Sequence, residues 1–366
     1  MQSIRPYKQV LNFLMEIIEQ ASFEPDYKLP SERMLAVKFN ASRRSVRLAY
    51  EHLIDQGFVC KVHGKGHFTT GNKEQQQAVH TPAKKIYFIV SALKTVFARS
   101  ILYGITDFCD EHTLDVSIKI SKGDPQKEAR FIRSAFTSDA KGIILFPLDN
   151  ESINNELLKL SANRYPLVII DRYLQNINSS FVATDNHNAM VEAVKFLRAK
   201  KHEHILYLTS PSTLATSVGE RLNGFYTGIK KYYPSQDNAH VATIKHFSFD
   251  DIYQYVTAFL KSNPKTEVIV TPGFQTATDA IVAAVNDLGL SIPNDVKLMI
   301  FDNDFSSTEL NLIRPYAIEQ DAYQIGYRSA ATLYNQLYGD LRTEIIRLPV
   351  DIVDYTETTP LQRERG

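Results

Sequence analysis

The chain has 366 residues, too many for one ordinary core and enough for two or three units of roughly 100–200 residues each. Hydrophobic residues make up 44% and charged residues 22%, a globular balance, and no run approaches the roughly 18 consecutive apolar residues of a membrane span. The 41 Lys+Arg match the 41 Asp+Glu, so the formal charge is zero and, averaged over the chain, speaks against a nucleic-acid partner. In chain order, Val10, Phe13, Leu14, Ile17 and Ile18 recur at helical spacing and predict a first amphipathic helix. A second helix is expected after Leu29-Pro30, with Ser31 as its N-cap and Leu35, Ala36 and Phe39 as its buried stripe. Ser42 caps a third, whose inner face is Val46, Ala49, Tyr50 and Leu53 while Arg43, Arg44 and Arg47 project together from its first turns. Two short strand-like runs, 58–62 and 67–70, then flank His63-Gly64-Lys65-Gly66, a hairpin with glycine where positive φ is wanted. Charge divides along the same lines. Residues 1–72 hold ten basic and seven acidic side chains, and residues 28–68 hold eight against three, the density that phosphate contact needs.

Three helices followed by a glycine-tipped hairpin, with the third helix basic at its N-terminus, is the order of a winged helix-turn-helix. A capped helix N-terminus offers free N–H groups to a phosphate, and arginines on the next turn can reach guanine edges. A lone arginine cluster is more often a solvated face; the cap and the wing beside it favour DNA. The run LPSERMLAVKFNASRRSVRLAYEHLIDQGFVCKVHGKGHFT resembles the DNA-binding domain of the GntR family of bacterial transcription regulators across residues 5–70. That resemblance implies DNA contacts at Ser31, Arg33, Ser42, Arg43, Arg44, Ser45 and Arg47, with His63, Gly64, Lys65 and Gly66 at the minor groove. Arg43 and Arg47 are the expected base readers, and Ser31, Arg33, Ser42 and Lys65 the expected phosphate contacts. Ser31 and Ser42 serve equally well as helix caps alone, and His63 as an exposed turn residue.

Residues 72–84 are polar, carry Gln75-Gln76-Gln77 and Pro82, and read as a linker between a head at 1–71 and a body at 85–359, with 360–366 a tail. Beyond it, short apolar runs at 86–90, 116–120, 142–147, 167–171, 204–210, 267–272 and 297–301 alternate with helical segments, the rhythm of parallel sheets covered on both faces. The length favours two stacked α/β lobes with a ligand between them. LVIIDRY, FVATDN, GERLNGF, GLSIPNDVKLMIFDND and YAIEQDAYQIGYRSAATL resemble the sugar-binding core of the LacI family and of periplasmic sugar-binding proteins. The fold class expected is therefore an α/β two-lobed periplasmic-binding-protein-like effector domain with an N-terminal winged helix-turn-helix, the architecture of the arabinose repressors. Carried over by position, the effector contacts fall on Phe97, Arg99, Asp171, Arg172, Arg221, Asp302 and Gln320. Phe274 is added as a ring platform, standing with Gly273 where the LacI pattern has an asparagine-aspartate pair. Carboxylates, guanidinium groups and aromatic faces suit a ligand rich in hydroxyls. The bland alternatives are a structural cap for Asp302 and an interlobe ion pair for Arg172; Asp185 reads as a helix cap.

Cys60 and Cys109 match no C-x-x-C spacing, His202-x-His204 lacks a third ligand, and no phosphate-binding glycine loop or nucleophile elbow occurs, so no metal, cofactor or catalytic residue is expected. The N-terminus lacks a secretory h-region, which implies a cytoplasmic protein. The function expected is a homodimeric, ligand-responsive regulator, a repressor in sign, that binds a palindromic operator and is released by a small sugar, with no membrane partner. Two alternatives stay open: an aminotransferase-like body using pyridoxal phosphate, and a sugar-binding transport component.

Overall fold

The computed structural model describes residues 6–21, 24–55, 57–62, 64–71, 84–112, 114–148, 155–174, 177–211, 215–233, 238–272, 275–302, 312–339 and 342–357. The chain divides into two compact units, one ending at Ala83 and one beginning at Lys84. The first holds α1 (Pro6–Gln20), β1 (Pro25–Lys28), α2 (Glu32–Lys38), α3 (Arg43–Asp55), β2 (Val59–Val62) and β3 (Gly66–Thr70). Val10, Leu14 and Ile18 of α1 meet Leu35, Val46, Ala49, Tyr50 and Leu53 in one core, as the helical spacing predicts. Sequence reading did not assign β1. Its four exposed residues lack an apolar alternation, and it exists because β3 offers it an edge, so that the hairpin becomes a three-stranded sheet in the order β1-β3-β2. Gly64 and Gly66 at the tip of the wing take φ +74° and +116°, backbone that favours glycine.

The second unit contains two six-stranded sheets built alike. In the first lobe β4 (Lys84–Val90), β5 (Leu114–Ile120), β6 (Gly142–Leu145), β7 (Leu167–Ile170), β8 (Ser180–Thr184) and a late strand, β14 (Ile345–Leu348), stand in the order β14-β8-β7-β6-β4-β5. The second lobe repeats that order with β9 (Ile205–Thr209), β10 (Ala239–Thr243), β11 (Val268–Pro272), β12 (Lys297–Phe301), β13 (Tyr316–Gln320) and β15 (Val350–Asp354), read β15-β13-β12-β11-β9-β10. Among the described residues all pairings within these two sheets are parallel except β13 with β15. Alternate side chains of β4 enter different cores, Ile86, Phe88 and Val90 on one face and Tyr87 and Ile89 on the other, the pattern of a sheet buried on both sides. Lys84, read from sequence as the last linker residue, is the first residue of β4, paired with Leu114 and with its ammonium 3.4 Å from the Tyr338 ring centroid.

Helices α4 (Val96–Glu111), α5 (Pro125–Thr137) and α6 (Asn155–Ala162) cover the first sheet. The chain then crosses at Asp185 into α7 (Asn186–Ala199), which packs on the second lobe beside α8 (Thr216–Tyr232), while α9 (Phe249–Ser262) and α10 (Gln275–Asp287) cover its other face. At Asp321 it returns into α11 (Ala322–Tyr338), which lies on the first lobe against α4. A last crossing, at Pro349, joins β14 to β15. Asp185 and Asp321 cap the two crossover helices, accepting from the N–H of Asn188 at 3.2 Å and of Gln324 at 3.0 Å. Asp185 is thus the cap that its position suggested. Among the described residues no helix is long and apolar enough to cross a membrane.

Backbone approaches backbone where the crossover helices pack. A Cβ at Gly104 of α4 would stand 2.1 Å from the Tyr323 carbonyl oxygen, and one at Gly326 of α11 would stand 2.0 Å from that of Ile101. The second lobe repeats the device: a Cβ at Gly224 would meet the His187 carbonyl oxygen at 2.2 Å. Tyr323 and His187 are each the second residue of their helix, so the two contacts are equivalent. Because the clash is with backbone, Gly326→Ala should destabilise the protein by at least about 1–3 kcal/mol, the range for overpacking, read as a lower urea midpoint.

Candidate functional site

Parallel sheets place their ligands outside the carboxyl ends of the strands, and here both sheets turn those ends toward one crevice of about 680 Å³. Asp171 and Asp302 are the first residues after the equivalent strands β7 and β12, and both take left-handed backbone, φ +70° and +73°. In each case the backbone N–H still donates to the neighbouring strand, Asp171 to Val182 at 3.1 Å and Asp302 to Ile318 at 3.0 Å. The strand is thus held to its last residue while the chain turns there, and both carboxylates line the crevice. Aspartate tolerates this backbone better than most residues.

The charges are paired in advance. Arg172 Nη2 lies 2.8 Å from Asp171 Oδ2, and both side chains are largely buried. Burial drives the Asp171 carboxyl above its usual range, and nearby Asp302 adds to that shift while Arg221 opposes it. Burial likewise lowers the Arg172 guanidinium below its ordinary value. Gln320 donates to Asp302 Oδ1 and accepts from the Thr184 hydroxyl, which joins the ends of β8 and β13. Arg221 donates from Nε to Asn186 Oδ1 at 2.8 Å and lies 3.5 Å over the Phe301 ring. Tyr355 donates to Glu319 at 2.7 Å. Phe97, Phe146, Phe247 and Phe301 line the apolar part.

Six of the effector residues expected from sequence, Phe97, Asp171, Arg172, Arg221, Asp302 and Gln320, therefore line one cavity. Arg99 does not: it is exposed, and its guanidinium donates to the Lys94 carbonyl at 2.6 Å. Two residues along a helix turn a side chain by more than half a circle, so Phe97 and Arg99 cannot share a wall. Phe274 and His63 lie outside the described residues. Phe146, Phe247, Glu319 and Tyr355 were not anticipated. Phe146 closes an apolar run and reads as core; its place just after the end of β6 was the available signal.

In the head, Arg33, Ser42, Arg43, Arg44, Arg47, Gly64 and Lys65 are exposed. Ser31 caps α2 through the Met34 N–H at 3.3 Å, and Ser42 Oγ accepts from the Ser45 N–H at 3.0 Å and bonds its hydroxyl at 2.9 Å. Both serines thus act as caps, and Ser45 is half-buried in that turn. Arg47 keeps most of its exposure while its guanidinium lies 3.7 Å from Glu32 of α2. Behind α3, buried Tyr50 donates to the Pro30 carbonyl and stacks on His67 at 3.9 Å, so the LP turn before α2, the recognition helix and the wing are tied through one ring.

Residues 6–68 match the bacterial regulatory proteins of the gntR family, and residues 86–341 match a periplasmic binding protein domain. The chain belongs to the periplasmic binding protein domain family over its body and carries a gntR-family head. It is 25% identical over 312 residues to an arabinose metabolism transcriptional repressor of Halalkalibacterium halodurans, covering 78% of this chain and 83% of that protein. A second arabinose metabolism transcriptional repressor, from Geobacillus stearothermophilus, is 21% identical over 348 residues, with 90% and 91% covered. The crystal structure of a LacI family transcriptional regulator from Enterococcus faecium with bound ribose superposes with a TM-score of 0.61 at 19% identity, over 74% of this chain and 97% of that one. With that head the protein is a DNA-binding transcriptional regulator, and the periplasmic-binding-protein match over its body sets aside an aminotransferase-like one, as the regulatory head sets aside a transport component.

One buried acid lies under the first sheet's helices. Glu128 of α5 accepts from the Leu148 N–H two residues beyond Phe146, and among the described residues its Oε2 has no hydrogen-bond partner. Burial raises its carboxyl from 4.5 to about 7. The unfolded chain therefore ionises first, and the stability held below pH 4.5 is lost as pH rises to about 7. Glu128→Gln should therefore gain about 2–3 kcal/mol over the parent at pH 8 and nothing at pH 4, in paired urea melts.

Proposed function

We propose that this regulator is a sugar-released repressor of carbohydrate-utilisation genes, with a pentose such as arabinose as effector. The observation that carries the proposal is the crevice itself, in which Asp302, Arg221 and Gln320 converge with Asp171-Arg172 among four phenyl rings. Neutral hydroxyls are matched by carboxylate acceptors and guanidinium donors, and the apolar face of a sugar ring by aromatic walls. Two of its relatives are named as repressors of arabinose metabolism. The protein acts by binding rather than catalysis, in the compartment that holds the chromosome.

In the head, Arg43 and Arg47 read bases, while Arg33, Arg44, Lys65 and the capped turns at Ser31 and at Ser42 and Ser45 hold phosphates, with His63, Gly64 and Gly66 at the minor groove. Two heads bind a palindromic operator as a homodimer. Its contact surface is the α4 side of the first lobe, where Ile118 and Ile120 of edge strand β5 and Tyr103 of α4 are exposed. Effector and operator oppose each other by a single coupling free energy of about 1–3 kcal/mol.

Arg47→Ala should lose about 1–3 kcal/mol of discrimination at one base position; equal losses on operator and random DNA in gel shifts would make it a phosphate contact instead. In a thermal-shift screen of pentoses, hexoses and their phosphates, a pentose should raise the parent's midpoint and leave Asp302→Ala and Arg221→Ala unmoved. A shift confined to another metabolite class would overturn the sugar assignment.

A further inference from the structure

We propose that Glu220 and Arg347 form a clasp between the two lobes that sets how often the crevice stands closed, and through it the affinity for effector; this rests on the crevice being the effector site. Glu220 belongs to α8 of the second lobe and Arg347 to β14 of the first. The pair is bidentate, Nη1 to Oε2 at 3.0 Å and Nη2 to Oε1 at 2.8 Å. Glu220 keeps only 19% of its side-chain exposure and Arg347 35%, so water screens the contact incompletely. The Arg347 guanidinium lies 5.7 Å from the Phe181 ring centroid, and the Asp185 carboxylate at the crossing adds to the field that holds its charge. Such a fork is directional, and a modest rotation of one lobe against the other breaks both bonds together.

Its place on α8 gives the contact a consequence. Consecutive helical residues point about 100° apart, so Arg221 enters the crevice while Glu220, its neighbour, faces β14. One turn earlier the Thr216 hydroxyl donates to the Tyr173 carbonyl at 3.1 Å, just after Arg172 in the first lobe. The first turns of α8 are therefore fastened to the opposite lobe by two contacts that need no ligand. A contact made only in the closed arrangement favours that state before the effector arrives, and an effector that binds the closed state then gains apparent affinity.

The 366-residue chain contains no tryptophan, so Phe247→Trp places a single reporter in the crevice wall, and acrylamide quenching of the ligand-free protein reads its opening. In that background Glu220→Gln and Arg347→Gln should each raise quenching, by an amount equivalent to about a five-fold rise in the open-to-closed ratio. Added salt should raise it further in the parent and leave both variants flat, and the reversal Glu220→Arg with Arg347→Glu should return it to the parent level. Calorimetry with L-arabinose and D-ribose on chains without the reporter should show each single variant binding more weakly, by up to about five-fold, in proportion to the closed fraction lost. Unchanged quenching in the single variants, or a reversal quenched as much as they are, overturns the clasp. Equal sugar affinity in parent and variants also overturns it while leaving the effector reading intact. The expected quenching pattern with no sugar bound by the parent leaves the clasp standing and defeats the effector reading instead.

Discussion

Three passages of the chain between two sheets, at Asp185, Asp321 and Pro349, are the constraint on which the rest of the body depends. Because the crossings leave from strands of equal rank in two sheets of equal order, the carboxyl ends of both sheets must face each other. That single consequence brings Asp171 and Asp302, 131 positions apart in sequence, to opposite sides of one cavity. The crossings also fasten each lobe to a helix whose sequence follows a strand of the other, so neither lobe is closed without its partner. Glycine at 104, 224 and 326 lets those borrowed helices approach to backbone contact. The fit is equivalent in the two halves, so the two lobes repeat one another in strand order and in how their helices pack.

The crevice carries a dense set of charges, and the cost of removing them from water is offset within the protein. Asp171 holds Arg172, Gln320 holds Asp302, and Arg221 rests on Phe301 with its Nε satisfied by Asn186. An isolated charge at such a site would neutralise, whereas a paired one stays in a fixed orientation. The crevice thus presents donors and acceptors already held in place. The supporting bonds run through Thr184 and Asn186 at the first crossing and Gln320 at the second, so the groups that line the crevice are tied directly to the passages between the lobes. Crevice geometry and crossing geometry are coupled here by direct hydrogen bonds.

Much of the head was legible because each local signal agreed with the next: Ser31 and Ser42 before apolar helical stripes, arginines on the solvent side of α3, glycines at the wing. Where reading failed, local signal was missing. The PDYK segment has no strand pattern and acquires one only from β3, and Arg99 sits beside Phe97 in sequence but on another side of the helix. Phe146 and Phe247 look like core residues, since an aromatic side chain carries no mark of whether it faces a helix or a cavity.

By itself the sequence determined the division into a basic helical head and an α/β body, the register of the recognition helix, and the residue types that end the strands, because these follow from periodicity, capping and charge density over short windows. Tertiary structure alone decided which strand ends face each other, which of the polar residues share a cavity, and that Glu220 reaches Arg347 across the lobes. The physical reason is separation. Partners 127 to 169 positions apart, such as Glu220 with Arg347 or Leu167 with Gln336, leave no periodic trace in the chain and exist only once its crossings have been laid down. The zero net charge is the plainest case: it sums a basic head and a slightly acidic body that folding separates into two units with different work.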